Sequence, residues 1–112
     1  MDPLTVEAFE RVKRLILRKG DRRTYCAMYN RNPHLAFVAD DGSTFDAYLH
    51  PDVGQRNIHC DPELSDFDEL VVQDWNDPEV YASVRSTDGA LAYAPERRDA
   101  LRRYFERMLR DA

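Results

Sequence analysis

The 112-residue sequence predicts an α+β domain: an antiparallel sheet of five or six strands, a meander plus a hairpin, with both terminal helices packed on one face. Two observations indicate this class. Apolar residues recur at spacings of three and four in the first twenty and last eighteen residues, which is typical of amphipathic helices. Between these ends the apolar residues alternate every second position, the period of strands with one covered face. Helices flanking a run of strands favour an α+β arrangement.

The first helix is predicted from Thr5 to Lys19. Thr5 is a suitable N-cap because its side-chain oxygen can accept a hydrogen bond from a free N–H of the first turn. Gly20 is expected to end the helix in a left-handed conformation, which glycine adopts without strain. The apolar residues predicted to face the core are Leu4, Phe9, Val12, Leu15 and Ile16.

The middle of the chain contains six segments with strand character. The first three are predicted to form a meander, in which Asp41-Gly42 is a strong hairpin-turn signal. The next two form a hairpin, and the last is a short edge strand. The six segments are Thr24–Tyr29, His34–Ala39, Thr44–Leu49, Leu70–Trp75, Val80–Arg85 and Ala90–Tyr93.

The final helix is predicted to begin at Pro95, since proline suits the first helical position. Arginines surround its apolar stripe of Leu101, Tyr104, Phe105, Met108 and Leu109.

Length and composition predict one folded domain over residues 1–112. Apolar residues make up 43% of the chain and aromatic residues 11%, which is too hydrophobic for a disordered chain. No apolar run is long enough to span a membrane, and the first residues lack the pattern of a targeting signal. We therefore expect a soluble cytoplasmic protein with no membrane partner. Cys26 and Cys60 are expected to be free thiols there.

The charges are segregated along the chain. Residues 1–38 contain eight Lys or Arg and four acidic residues, and residues 80–112 contain seven and five. Residues 39–79 contain Arg56 alone against twelve acidic residues. Most protein surfaces intersperse the two signs. One interpretation is internal neutralisation, in which arginines of the terminal helices lie near the acidic residues.

The leading functional hypothesis is that the acidic residues form one exposed surface. Such a surface steers and orients a basic partner. The partner could be a nucleic-acid-binding protein, in which case this domain would imitate the nucleic acid. Trp75 is the aromatic residue expected to anchor the interface. The predicted partner-binding residues are Asp61, Glu63, Asp66, Asp68, Glu69, Asp74, Trp75 and Asp77, with Asp40 and Asp41 nearby.

A second binding hypothesis assigns the working surface to the arginines of the terminal helices, because nucleic-acid affinity rests largely on phosphate contacts. The overall net charge of −5 and the acidic residues interleaved in both helices disfavour direct nucleic-acid binding. The arginines concerned are Arg11, Arg14, Arg18, Arg22 and Arg23 at one end and Arg97, Arg98, Arg102, Arg103, Arg107 and Arg110 at the other.

Catalytic motifs are absent from the sequence: no glycine-rich phosphate loop, nucleophile elbow or zincin motif occurs. The alternative to a binding protein is a small metal-dependent or Cys/His enzyme built on residues 50–61, whose imidazole, thiolate and carboxylate groups are usual metal ligands. These residues are His50, Asp52, His59, Cys60 and Asp61. Their spacing matches no known ligand pattern, so we predict a non-catalytic inhibitor or adaptor without metal or cofactor.

Overall fold

The computed structural model describes residues 2–20, 33–51, 67–74 and 81–112. Helix α1 spans Val6–Lys19, and helix α2 spans Arg98–Leu109 after a single 3₁₀ turn at Pro95–Arg97. Between them lie the strands β1 (His34–Val38), β2 (Thr44–Pro51), β3 (Phe67–Asp74), β4 (Tyr81–Thr87) and β5 (Ala90–Ala92).

The five strands form one antiparallel sheet in the order in which they occur along the chain. The predicted α+β class is confirmed, with both terminal helices packed against the sheet. The predicted short edge strand is β5, and Asp41-Gly42 forms the turn between β1 and β2. Gly42 has φ +86° and donates its N–H to Ala39 O at 2.9 Å. The predicted strand Thr24–Tyr29 lies outside the described residues.

The core lies between the two helices and one face of the sheet. β2 contributes Phe45, Ala47 and Leu49 at alternate positions, as a strand with one covered face requires. α1 contacts β1 and β2, while α2 contacts β4 and α1. The buried residues form a single cluster, whose largest members are Phe9, Phe45, Phe67, Phe105, Leu15, Ile16, Leu49, Leu70, Leu101 and Met108.

Helix α1 begins as predicted but ends differently. The hydroxyl of Thr5 accepts a hydrogen bond from the Ala8 N–H at 3.1 Å, so Thr5 is the N-cap. Gly20 has φ −76° and ψ 167°, an extended conformation, so the expectation of a left-handed glycine was wrong. Glycine is needed there for space, because a Cβ would press on Ile16 O and lie 2.5 Å from His34 O. The end of α1 thus lies against the first residue of β1.

Neither described helix is long and apolar enough to cross a membrane.

Lys13 is buried on the core side of α1, although the sequence pattern did not single it out. Its side chain is 5% exposed, and its ammonium donates to Phe67 O at 3.0 Å. It also pairs with Glu10 at 3.0 Å and lies over the Phe9 ring, 5.3 Å from the centroid. The aliphatic stem packs as an apolar group while the charged end reaches polar partners. Lys13 therefore ties α1 to the first residue of β3.

Lys13→Met should lower the free energy of unfolding by about 1–3 kcal/mol, because methionine keeps the apolar volume but removes the buried donor. The control is Arg14→Met, which changes the neighbouring exposed position and should stay within about 0.5 kcal/mol of wild type. Urea denaturation followed by circular dichroism measures both. Equal stabilities of the two variants would contradict a structural role for the ammonium group.

Candidate functional site

The predicted acidic residues that the structure describes do not form one group: Asp68 and Glu69 lie apart from Asp74, which lines one cleft with Asp40 and Asp41. Asp68 and Glu69 are near the start of β3, and Asp74 is its last residue. Five residues of strand separate Glu69 from Asp74, about 17 Å, and place them on opposite faces of the sheet. Asp61, Glu63, Asp66, Trp75 and Asp77 lie outside the described residues.

Glu69 is held by its neighbours on β4. Glu69 Oε2 accepts a hydrogen bond from Ser83 Oγ at 2.8 Å and lies 3.3 Å from Arg85 Nη2. All three side chains lie on the face away from the helices. Asp68 is half-buried beside the irregularity at His50 and Pro51, and its Oδ1 is buried with no hydrogen-bond partner in the described part of the chain. These two acids are therefore less available to a partner than their sequence positions suggested.

The same face carries a second polar group on β2. Asp46 is only 5% exposed, and Tyr48 donates its hydroxyl to Asp46 Oδ2 at 3.0 Å. Burial raises the pKa of Tyr48, and the carboxylate of Asp46 raises it further. Next along the strand, burial lowers the pKa of His50, an effect that Glu69 directly opposite partly offsets.

His50 is the one residue of the proposed metal-binding or Cys/His enzyme site that the structure describes; Asp52, His59, Cys60 and Asp61 fall outside it. Within residues 2–20, 33–51, 67–74 and 81–112, no three His, Cys, Asp or Glu side chains converge as metal ligands would. Among the described residues, no metal-ligand cluster therefore includes His50.

A cleft of about 600 Å³ lies between the β1–β2 turn and the last two turns of α2. We call it the hairpin cleft. Its base includes Phe45 and Tyr104, whose ring centroids are 4.7 Å apart. The charged residues of its lining are Asp40, Asp41, Asp74, Arg103, Glu106, Arg107 and Arg110.

The acids of the hairpin cleft come from two chain segments that the sheet brings side by side. Asp40 and Asp41 belong to the turn that precedes β2, and Asp74 ends β3 directly opposite Phe45 of β2. Asp41 accepts hydrogen bonds from the Ser43 hydroxyl at 2.6 Å and from the Ser43 N–H at 2.9 Å. These bonds hold the pKa of Asp41 below its usual range, so the group stays ionised at neutral pH.

Arginines of α2 form the opposite side of the cleft. Arg110 pairs with Asp40 at 2.7 Å, but their side chains remain 54% and 84% exposed. Arg107 donates from Nε to Val38 O at 2.7 Å and pairs with Asp111 at 3.2 Å. Burial raises the pKa of Tyr104 between them, and the charge of Asp74 adds to this effect.

Internal neutralisation of the acidic segment 39–79 by the terminal-helix arginines is seen among the described residues only for Arg110 and Asp40, and the other paired arginines of this region contact acids of the terminal segments. Besides Arg107 and Arg110, Arg98 pairs with Asp2 at 2.8 Å and Arg102 with Glu106 at 3.9 Å. Sequence analysis had grouped these arginines as one basic surface. The spacing of four residues could have predicted the pairs within the C-terminal segment, Arg102 with Glu106 and Arg107 with Asp111. The pair between Arg110 and Asp40 could not be predicted from sequence, because it depends on the fold.

No protein-family model, curated protein or solved structure matches this chain.

Glu69 and Asp40, two of the ion-paired acids, should respond differently to neutralisation. Glu69→Gln should lower the free energy of unfolding by about 1–2 kcal/mol, because the amide oxygen can still accept from Ser83 but the partly buried negative charge opposite Arg85 is lost. Asp40→Asn breaks an exposed pair and should cost less than about 0.5 kcal/mol. Urea denaturation measures the free energy of unfolding of both variants. An equal decrease in the two would contradict the view that Glu69 stabilises the fold while Asp40 does not.

Proposed function

We propose that this protein is a non-catalytic binding protein, an inhibitor or adaptor, that receives basic side chains of a protein partner in the hairpin cleft. The observation that carries the proposal is the combination of carboxylates with the partly exposed ring of Tyr104 in one cleft. Asp40 and Asp41 are exposed, and Asp74 lines the same cleft beside Phe45 and Tyr104.

The weakness of the exposed Asp40–Arg110 ion pair supports the replacement of Arg110 by an arginine of a partner protein. Exposed ion pairs contribute only about 0–1 kcal/mol, because solvent screens the charges and two long side chains must be ordered. An arginine from a partner can therefore replace Arg110 at Asp40 with little loss of stability. Asp41 remains charged at neutral pH and provides a second carboxylate at the rim.

Tyr104, which is only partly buried, supplies the aromatic face for such an interaction, and the fully buried Phe45 packs against it. Arginine lies favourably over an aromatic face, and the protein has its own example in Arg107, which lies 5.6 Å from the centroid of Phe37. The lining has four carboxylates against three arginines, and this excess of acid together with the ring of Tyr104 favours a guanidinium group over a small acidic molecule. The partner class is thus a protein surface rich in arginine, such as one that binds nucleic acid.

Binding of a fluorescein-labelled arginine-rich peptide, followed by fluorescence anisotropy, tests this proposal. Combining Asp40→Asn, Asp41→Asn and Asp74→Asn should weaken binding by about tenfold or more, since close charge pairs across an interface are strongly coupled. Added salt should weaken wild-type binding as well. A peptide with glutamate in place of arginine should not bind.

The matched control combines Asp88→Asn, Glu96→Gln and Asp99→Asn. It removes the same charge from exposed positions outside the hairpin cleft and should change the affinity less than about twofold if long-range attraction is screened. Equal weakening by the two triple variants would refute the cleft as the binding site, as would affinity that is indifferent to salt.

A further inference from the structure

The exposed side of α1 carries a basic stripe, defined as Arg11, Arg14 and Arg18. Their spacing of three and four residues places them along one face of the helix over about 10 Å, at 1.5 Å per residue. All three are exposed, whereas the opposite side of α1, with Phe9, Val12 and Ile16, is buried. Lys19 adds another exposed positive charge near the C-terminal end of the stripe.

Among the described residues, the basic stripe differs from α2 in that its arginines make no ion pair. Four of the six arginines from Arg97 to Arg110 pair with a carboxylate. In the described part of the chain, none of the three stripe arginines has a carboxylate within ion-pair distance. Glu10, on the same helix, pairs with Lys13 instead. The stripe is therefore a positive surface that the described fold leaves available.

We propose that the basic stripe binds the phosphate backbone of duplex nucleic acid. Guanidinium groups match the geometry of phosphate oxygens, and backbone binding needs positive charges without apolar anchors. The exposed residues of α1 are all charged: Glu7, Arg11, Arg14, Arg18 and Lys19. A protein-binding hot spot would instead include exposed aromatic residues.

A membrane surface does not fit this helix. Helices that bind a bilayer insert an apolar face among the lipids, and the apolar face of α1 is already part of the core.

The net charge of −5 opposes nucleic acid at long range but acts weakly at this site. The C-terminal end of α1 lies at the first residue of β1, and two acids of the hairpin cleft, Asp40 and Asp41, follow the last residue of β1. Along β1 this is about 13 Å. That distance exceeds the Debye length of about 8 Å at physiological ionic strength, so salt largely screens the cleft acids from this end of the stripe.

The test is anisotropy of fluorescein-labelled duplex DNA with the full chain, over a series of salt concentrations around physiological ionic strength, where charges beyond about 8 Å are largely screened. Each phosphate contact contributes about −0.9 to the slope of log K against log salt concentration, so three contacts give a slope near −2.7. Combining Arg11→Gln, Arg14→Gln and Arg18→Gln should weaken binding at least about tenfold and remove most of this slope. The triple lysine variant at the same positions keeps the charges and should retain most of the affinity.

The control is Arg97→Gln combined with Arg102→Gln and Arg103→Gln, which removes equal charge from the other terminal helix. It should bind DNA within about twofold of wild type if only local charges matter. Absence of DNA binding, or equal loss in both glutamine variants, would overturn the proposal. So would tighter binding of a labelled polyglutamate peptide than of DNA, since the stripe would then serve an acidic protein.

Discussion

Both helices of this protein must share one face of a single antiparallel sheet, and the positions of the other features follow from that packing. Leu101, Phe105 and Met108 bury one side of α2 in the same cluster as Phe45 and Leu49 of β2. Burial of apolar surface on this scale is the main favourable term in folding. It fixes α2 so that its last turns meet the β1–β2 turn, and it leaves the polar side of α1 to solvent.

This packing distributes the segregated charges of the sequence unequally. The arginines of α2 reach carboxylates on the N-terminal residues, on the β1–β2 turn and on α2 itself, and most of them become ion-paired. Those of the α1 stripe reach none among the described residues. The described part of the protein thus has a cleft with a small excess of acid, whose exposed Asp40–Arg110 pair is weak, and a basic stripe whose arginines make no ion pair. The two proposed binding surfaces, of opposite sign, are compatible in one small domain because salt screens charges over such distances.

The sequence predicted what depends on local chemistry. Thr5 caps α1 because its hydroxyl reaches a neighbouring N–H, and Asp41-Gly42 turns because glycine tolerates the positive φ that this hairpin requires. Alternation in β2 and the apolar stripe of α2 located the core. Each of these signals lies within a few residues of the structure it specifies.

What the sequence did not predict depends on contacts between distant segments. A lysine on a helix is expected at the surface. Lys13 is buried because Phe67, 54 positions away, supplies a carbonyl acceptor for its ammonium group. Gly20 has dihedral angles that other residues could adopt. Glycine is needed there because the carbonyl oxygen of His34 leaves no space for a Cβ. The acids were grouped by their closeness in sequence, yet Glu69 and Asp74 lie at opposite ends of β3. Residues that are close in sequence can therefore lie far apart on a strand, or on opposite faces of the sheet.

Chemical-shift mapping of the uniformly ¹⁵N-labelled protein tests the central claim, that the cleft and the stripe are separate surfaces with opposite preferences. An arginine-rich peptide should shift amides of the β1–β2 turn, of Asp74 and of the C-terminal half of α2. Duplex DNA should shift amides around Arg11, Arg14 and Arg18 and leave the cleft unchanged. Shifts of the same amides by both ligands, or shifts by either ligand that avoid its assigned surface, would contradict this account.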